Sequence, residues 1–168
     1  MVSIRKARLS EVPEIHALRT AAAKTLTERH GHGHWSRVTV INTLQRALSR
    51  DGTLYVIIDD GAVAGTFTLS SHRPEFYDRK WFAQPDAQAF YFRSMAIHPD
   101  KQNRGIGRAA MVEVEKLATA RGWKALRFDA YGGPAGAGGF YTRCGYTKVH
   151  SGEFNGVPLE YFEKVLQP

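Results

Sequence analysis

The residues with the clearest chemical potential form a short glycine-bearing loop, Gln102-Asn103-Arg104-Gly105-Ile106-Gly107-Arg108. The loop follows a strand-like stretch and precedes an apolar pattern of helical period. The first turn of a helix offers unpaired N–H groups and a positive dipole end, which together favour phosphate. Gly105 and Gly107 leave the backbone accessible to a bulky anion, and Arg104 and Arg108 add positive charge. We therefore expect this loop to bind a phosphate-bearing ligand.

Two other phosphate-binding loops are excluded by the residues that follow. A P-loop requires Gly-Lys-Ser or Gly-Lys-Thr, which is absent. A Rossmann fingerprint requires a third glycine three residues after Gly107, where Ala110 stands, and a series of alternating βαβ units that does not follow. The alternative to a phosphate site is a pair of glycines that only begins a helix.

Four segments of the chain resemble the GNAT superfamily of N-acetyltransferases and occur in that family's order. Residues 102–107 resemble its acyl-CoA signature, Q/R-x-x-G-x-G/A, and Met95-Ala96-Ile97-His98-Pro99 resembles the end of its fourth strand. Residues 140–146 resemble its F-Y-x-x-x-G-F/Y segment, and residues 60–65 resemble its D-G-x-x-v-G hairpin. The resemblance covers nearly the whole chain.

The resemblance implies a mixed α/β fold of the GNAT acyl-CoA N-acyltransferase type, in a single domain over residues 1–168. Its central, mostly antiparallel sheet is splayed between strands four and five and flanked by about four helices. Acetyl-CoA is the implied co-substrate, no metal is implied, and an acetyl group passes directly to a primary amine of a small molecule. A protein or peptide amine, or coenzyme binding without turnover, is the alternative. Homodimers are common in the family, so a homodimer is compatible with the resemblance.

The resemblance also implies which residues contact the coenzyme. The pantetheine arm pairs with the backbone of the fourth strand, as an added strand would, at Met95, Ala96 and Ile97. The diphosphate is held by Gln102, Asn103, Arg104, Gly105, Ile106, Gly107 and Arg108. An N–H of Ala96 or Ile97 would stabilise the oxyanion that forms at the thioester.

Tyr141 matches the tyrosine that lies beside the coenzyme sulfur in the family. A phenol of pKa ~10 keeps its proton at neutral pH and can give it to the leaving thiolate. A core tyrosine is the alternative. For the base that takes the amine's proton, Asp129 and His98 are candidates, each with a structural alternative. Pro134 stands where many relatives have Asn, which puts that asparagine's contact with the pantetheine or the helix entry in doubt.

Two further segments have unusual composition. His30, His32 and His34 alternate with glycine before Trp35, but no carboxylate or cysteine nearby completes a metal-ligand pattern. An exposed polar loop is favoured, and it could line the acceptor site. Residues 72–88 form a long loop that predicts a lid over the acceptor, or alternatively an exposed patch for a membrane or a partner. The bulky residues of that loop are Phe76, Tyr77, Trp81 and Phe82.

Composition limits the class of protein. The chain has 168 residues, 43% of them hydrophobic, which suits one compact domain. No stretch approaches the roughly 18 apolar residues of a membrane helix, and no secretory h-region is evident. Cys144 is the only cysteine, so no intramolecular disulfide can form, and we expect a cytoplasmic protein. The net charge of +7 is scattered along the chain, which argues against a dedicated nucleic-acid binder.

Periodicity and turn residues predict the order β-α-α-β-β-β-α-β-α-β-β. Ser10 is the predicted cap of a first helix that ends near Gly31, and a second helix is predicted to end before Asp51-Gly52. Later helices are predicted over 105–121 and 135–144. Strands are predicted over 2–7, 54–58, 63–69, 89–97, 124–131 and 159–166, with tight turns at Asp60-Gly61 and Asn155-Gly156.

Overall fold

A computed structural model describes residues 1–49 and 53–167. The strands are β1 Val2–Lys6, β2 Leu54–Asp59, β3 Ala62–Ser70, β4 Ala89–Ile97, β5 Ala125–Tyr131, β6 Thr147–Phe154 and β7 Val157–Val165. The helices are α1 Val12–His30, α2 Ile41–Ser49, α3 Ile106–Ala120 and α4 Gly138–Arg143. This order is the predicted one, although the predicted stop at Asp51-Gly52 lies outside the described residues. No helix in the described ranges is long and apolar enough to cross a membrane.

Hydrogen bonds order the strands β1-β2-β3-β4-β5-β7-β6. The pairs β1–β2, β2–β3, β5–β7 and β6–β7 are antiparallel, whereas β4–β5 is parallel. The parallel pairing ends at Tyr91 and Arg127, although β4 continues to Ile97 and β5 to Tyr131. The predicted fold class is therefore confirmed: the sheet is mixed, mostly antiparallel, and its fourth and fifth strands are paired at one end only.

The chain forms two compact units. The first contains Met1–Leu69 and Ser94–Glu113, and the second contains Ser70–Arg93 and Val114–Pro168. In the first unit α1 turns its apolar stripe inward, and α2 adds one fully buried side chain to the same core. The buried residues of this core are Val12, Ile15, Leu44, Leu54 and Val56.

Both hairpin turns have the geometry that their residues predict. Asp60 and Gly61 have φ angles of 50° and 81°, and Asn155 and Gly156 have φ angles of 51° and 76°. Two consecutive residues in the left-handed region form the tight turn that matches the twist of paired strands. The two dipeptides therefore join β2 to β3 and β6 to β7 as predicted.

The helix starts differ from their predictions. A short 3-10 turn at Leu9–Glu11 precedes α1, and Ser10 does not cap the helix. The Glu11 carboxylate accepts the Arg8 N–H at 2.7 Å instead. A hydrogen bond from Arg5 lowers the pKa of the Glu11 carboxyl group, and partial burial raises it. The hydrogen bond has the larger effect, and the resulting pKa is about 2. The capping prediction was wrong because Ser10 lies inside this 3-10 turn, so that Glu11 flanks the start of α1, and no side chain caps the helix.

Helix α4 is shorter than predicted, beginning at Gly138 rather than at 135. The segment before it carries glycines, which disfavour helix by up to ~1 kcal/mol each. Gly136 also lies so close to β5 that a Cβ there would be 1.8 Å from the Tyr131 carbonyl oxygen. The chain therefore turns at residues 133–136, where the Gly136 N–H donates to the Gly133 carbonyl at 2.9 Å, before the helix forms.

The loop before β4 is built into the core of the second unit. Tyr77 is wholly buried and Phe82 is 3% exposed. The Tyr77 ring meets those of Tyr91 and Tyr161 edge-on, with centroids 5.9 and 5.2 Å apart. The alternative of an exposed aromatic patch is therefore wrong for Tyr77 and Phe82, because strands β4 and β7 supply an apolar surface that covers them.

A buried ion pair fastens the same loop to the strands. Arg127 on β5 and Glu163 on β7 are 1% and 3% exposed, and Nε of Arg127 lies 2.8 Å from Oε2 of Glu163. Arg127 also donates to the Gln84 carbonyl at 2.5 Å, and Glu163 accepts the Ala83 N–H at 2.8 Å. Each charged group thus holds one backbone group of the loop as well as its partner.

Replacing Glu163 by Gln should lower the free energy of unfolding by about 3–5 kcal/mol, because the Arg127 charge would stay buried without compensation. Denaturant unfolding followed by tryptophan fluorescence measures this change. The control is Lys148→Met, which removes the half-exposed pair Lys148–Glu160 and should cost about 1 kcal/mol or less. Equal losses in the two variants would contradict the structural role assigned to the buried pair.

Candidate active site

The end of β4 is held closely against β3 in the first unit. The His98 N–H donates to the Ala64 carbonyl at 2.9 Å. A Cβ on Gly65 would lie 2.7 Å from both the Ala96 carbonyl oxygen and Cδ1 of Ile97. Glycine at 65 therefore permits the close approach that fixes the position of the last residues of β4.

Strand β4 is interrupted at Ser94, whose φ angle of 54° lies in the left-handed region. Such a residue breaks the regular alternation of side chains along a strand. The three predicted pantetheine contacts, Met95, Ala96 and Ile97, follow it and are all partly exposed. The sequence carried no signal for this irregularity, because serine has no marked preference for positive φ.

A tight turn leads from β4 to the predicted phosphate loop. Pro99–Lys101 form one turn of 3-10 helix, and Nδ1 of His98 accepts the Asp100 N–H at 3.2 Å. The Gln102 side chain donates from Nε2 to the Ile97 carbonyl at 3.1 Å. Gln102 thus ties the loop back to the strand, and His98 caps the turn.

The loop then reverses direction through two left-handed residues, Asn103 at φ 61° and Gly105 at φ 77°. A Cβ at Gly105 would meet nothing within 4 Å, so the space beside this backbone is open. Ile106 is 4% exposed and anchors the start of α3 in the core. The glycine is therefore required by its backbone angle, and the isoleucine by packing.

The first turn of α3 presents unpaired amides. The Ala109 N–H donates to the Gly105 carbonyl at 3.0 Å, so the amides of Ile106, Gly107 and Arg108 precede the first intrahelical hydrogen bond. Within residues 1–49 and 53–167, no acceptor is placed on these three amides. Arg104 and Arg108, which flank these amides in the sequence, are both exposed. This arrangement of donors and charge suits a diphosphate.

Tyr141 lies on α4 in the second unit and is 8% exposed. Its ring packs on Phe128 of β5, with centroids 4.4 Å apart, and on Phe162 of β7 at 6.0 Å. Burial, followed by the charges of Cys144 and Asp129, raises the pKa of the Tyr141 phenol. With this raised pKa the phenol keeps its proton at neutral pH. None of the described residues forms a hydrogen bond to the hydroxyl, so its O–H is free to donate.

The two candidate bases are both engaged. Asp129 on β5 accepts a hydrogen bond from the hydroxyl of the buried Tyr77, and burial is the main cause that raises the pKa of Tyr77. His98 caps the turn after β4 through Nδ1. Asp129 therefore positions the loop that carries Tyr77, and His98 positions the phosphate loop, which are the structural roles considered for them.

The histidine-rich segment is organised around Trp35. The Trp35 ring meets the His30 and His34 rings edge-on, with centroids 6.5 and 5.1 Å apart. Across the described ranges, no three side chains of His, Cys, Asp or Glu are grouped so that they could hold a metal ion.

The predicted site residues fall into two sets. The first unit contains the end of β4 and the whole phosphate loop, and the second contains Tyr141. Sequence reasoning missed Ser94, because serine gives no signal for its backbone angle. It also missed the hydrogen bond between Tyr77 and Asp129 and the Arg127–Glu163 pair, because these contacts join residues 52 and 36 positions apart.

Several solved structures share this fold. A GNAT-family acetyltransferase from Streptococcus agalactiae superposes with a TM-score of 0.82 at 17% identity, over 99% of this chain and 96% of that one. The yncA protein of Salmonella typhimurium, solved with its cofactor acetyl-CoA, gives 0.67 at 18% identity, over 99% and 94%. RimL, a ribosomal L7/L12 α-N-protein acetyltransferase in complex with coenzyme A, gives 0.70 at 16% identity, over 98% and 94%.

No curated protein matches the chain by sequence. The family model described as "Acetyltransferase (GNAT) domain" matches residues 50–148, which is more than half of the chain. That range contains the β2–β3 hairpin, the phosphate loop and Tyr141. The chain therefore belongs to the GNAT family of acetyltransferases.

Proposed function

We propose that this protein transfers an acetyl group from acetyl-CoA directly to the primary amine of a small molecule, in a ternary complex. The observation that carries the proposal is the row of unpaired amides at Ile106, Gly107 and Arg108. Together with Arg104, they form a site for the coenzyme diphosphate. The acetyl-CoA bound to yncA and the coenzyme A bound to RimL support this choice of co-substrate.

The loop meets the requirements of a diphosphate on three counts. Its amides are directed by the start of a helix of 15 residues, whose dipole favours an anion. Gly105 leaves open space beside the backbone. Met95, Ala96 and Ile97 are partly exposed residues, and the pantetheine arm would pair with their backbone.

In the proposed reaction the neutral amine nitrogen attacks the thioester carbonyl carbon. A C–N bond forms and the C–S bond breaks. The departing sulfur takes a proton from the enzyme, and the proton that the amine loses returns to the enzyme through solvent water, so that no net proton is gained or lost. An N–H of Ala96 or Ile97 stabilises the oxyanion, an interaction that is usually worth a few kcal/mol. We assign the proton donation to Tyr141, because its phenol is protonated at neutral pH and its hydroxyl has no hydrogen-bond partner among the described residues.

The state of the loop before β4 supports a small acceptor. Acetylation of a protein amine needs an open groove, and a mobile or displaced loop would supply one. Here Tyr77 and Phe82 are buried in their own unit, and the Arg127–Glu163 pair holds the loop backbone.

We also propose a cytoplasmic location, because Cys144 is the only cysteine and permits no intramolecular disulfide.

Replacing Tyr141 by Phe should lower kcat about 100-fold and leave the Kd of acetyl-CoA unchanged, because the hydroxyl acts on the leaving group and not on binding. Thiol release with a panel of amines measures kcat, and calorimetry measures Kd. The control is Tyr146→Phe, whose hydroxyl donates to Glu115 at 3.0 Å and should affect stability alone. An unchanged kcat in Tyr141→Phe would show that another group protonates the sulfur.

Acetyl-CoA at about a hundred times its Kd should stabilise the protein by ~2.7 kcal/mol in a thermal unfolding experiment.

The double variant Arg104→Ala, Arg108→Ala should weaken the Kd about 5- to 10-fold, because two charges near the diphosphate are lost. Arg46→Ala, which removes an exposed arginine of α2, is the matched control. The same Kd in both variants would place the diphosphate elsewhere.

A further inference from the structure

Arg19 on α1 has a guanidinium group whose donors are only partly satisfied. Its Nε and Nη2 atoms are buried, and no described residue accepts a hydrogen bond from either of them. The one hydrogen bond that it makes within the described ranges runs from Nη1 to Oγ1 of Thr39, at the long distance of 3.5 Å. Two buried donors of a permanently charged group are therefore left unpaired.

Such a group is unusual, because a buried charge without a partner opposes folding. By contrast, Arg127, which is 1% exposed, is paired with Glu163 at 2.8 Å. Burial alone lowers the pKa of Arg19 to about 10, with no carboxylate acting against it. Arg19 is still charged at neutral pH, so an orphaned cation needs a ligand to explain it.

The chemistry of the guanidinium indicates what the ligand carries. Its planar fork of N–H donors matches the two oxygens of a carboxylate. The Thr39 hydroxyl adds a polar group beside the fork. Val38 and Val40, on either side of Thr39, are 41% and 62% exposed, which favours a ligand with an apolar part next to its anionic group.

The anion that fits best is a group of the acceptor. Arg19 and Thr39 belong to α1 and to the segment before α2, whereas the amides suited to the diphosphate belong to α3. We propose that Arg19 binds a carboxylate of the acceptor, so that the substrate is a small apolar amine that also bears a carboxylate, such as an α-amino acid. This inference rests on the proposed function and adds the class of substrate to it.

The test compares matched acceptors: phenylalanine, leucine and methionine, each against its own amide. The ratio of kcat/KM for acid over amide is measured in the wild type and in Arg19→Met, so that differences in amine pKa cancel. The ratio should fall about 10- to 100-fold in Arg19→Met, because a charge-assisted fork is lost. Arg19→Lys should give an intermediate ratio, and Arg29→Met, an exposed arginine on the same helix, should leave it unchanged.

Two further measurements separate ligand binding from a structural role. Without ligand, Arg19→Met should have the melting temperature of the wild type or a higher one, because an unpaired buried charge is removed. Its Kd for acetyl-CoA should be unchanged. A lower melting temperature with equal loss of activity on acids and amides would make Arg19 structural, and a weaker Kd would assign its anion to the coenzyme. Either result overturns the proposal.

An equilibrium measurement decides the proposal even if none of these amines is acetylated. With coenzyme A present, N-acetylphenylalanine should raise the melting temperature of the wild type but not of Arg19→Met, and N-acetylphenylalaninamide should raise neither. No shift with the acid would overturn the role of Arg19 alone. Binding of acetyl-CoA without turnover of any amine would instead contradict the proposed function.

Discussion

The architecture of the first unit depends on three amides, at the start of α3, that no described residue pairs with. The first turn of α3 can stay open only if the segment before it is held by other bonds. Gln102 supplies one of these by bonding the Ile97 carbonyl, and His98 supplies another by capping the preceding turn. Gly105 then turns the chain through a backbone angle that other residues rarely adopt. The signature residues thus divide into those that shape the loop and those whose amides are free for the proposed diphosphate.

In the second unit, buried side chains hold the long irregular loop before β4 in place. Its backbone groups cannot pair with a neighbouring strand, so buried side chains satisfy some of them. Arg127 donates a hydrogen bond to the Gln84 carbonyl, and Glu163 accepts one from the Ala83 N–H. The phenol of Tyr77 reaches Asp129 on β5. A carboxylate that sequence reasoning considered as a base therefore has a positioning contact that the sequence alone could not reveal.

The sequence predicted the features that local patterns determine. The order of elements, the bounds of β4, the turn at Asp60-Gly61 and the glycine stop of α1 all follow from period, turn and capping residues. The strand, turn and helix start of the predicted phosphate loop could also be predicted, because these elements are contiguous, whereas its binding of phosphate stays a prediction. The start of α1, the length of α4 and the burial of Tyr77 could not, since helix ends are the least predictable part of a pattern and burial depends on residues distant in the sequence.

The placement of β7 between β5 and β6 has a consequence for synthesis of the chain on the ribosome. Strand β6 is synthesised before β7, but β7 is its only neighbour in the sheet among the described residues. One edge of β5 also stays unpaired until β7 has been synthesised. The loop partner Glu163 also arrives with β7. The half of the protein that holds Tyr141 must therefore remain unassembled until translation passes Val165, and only then can its long-range contacts form together.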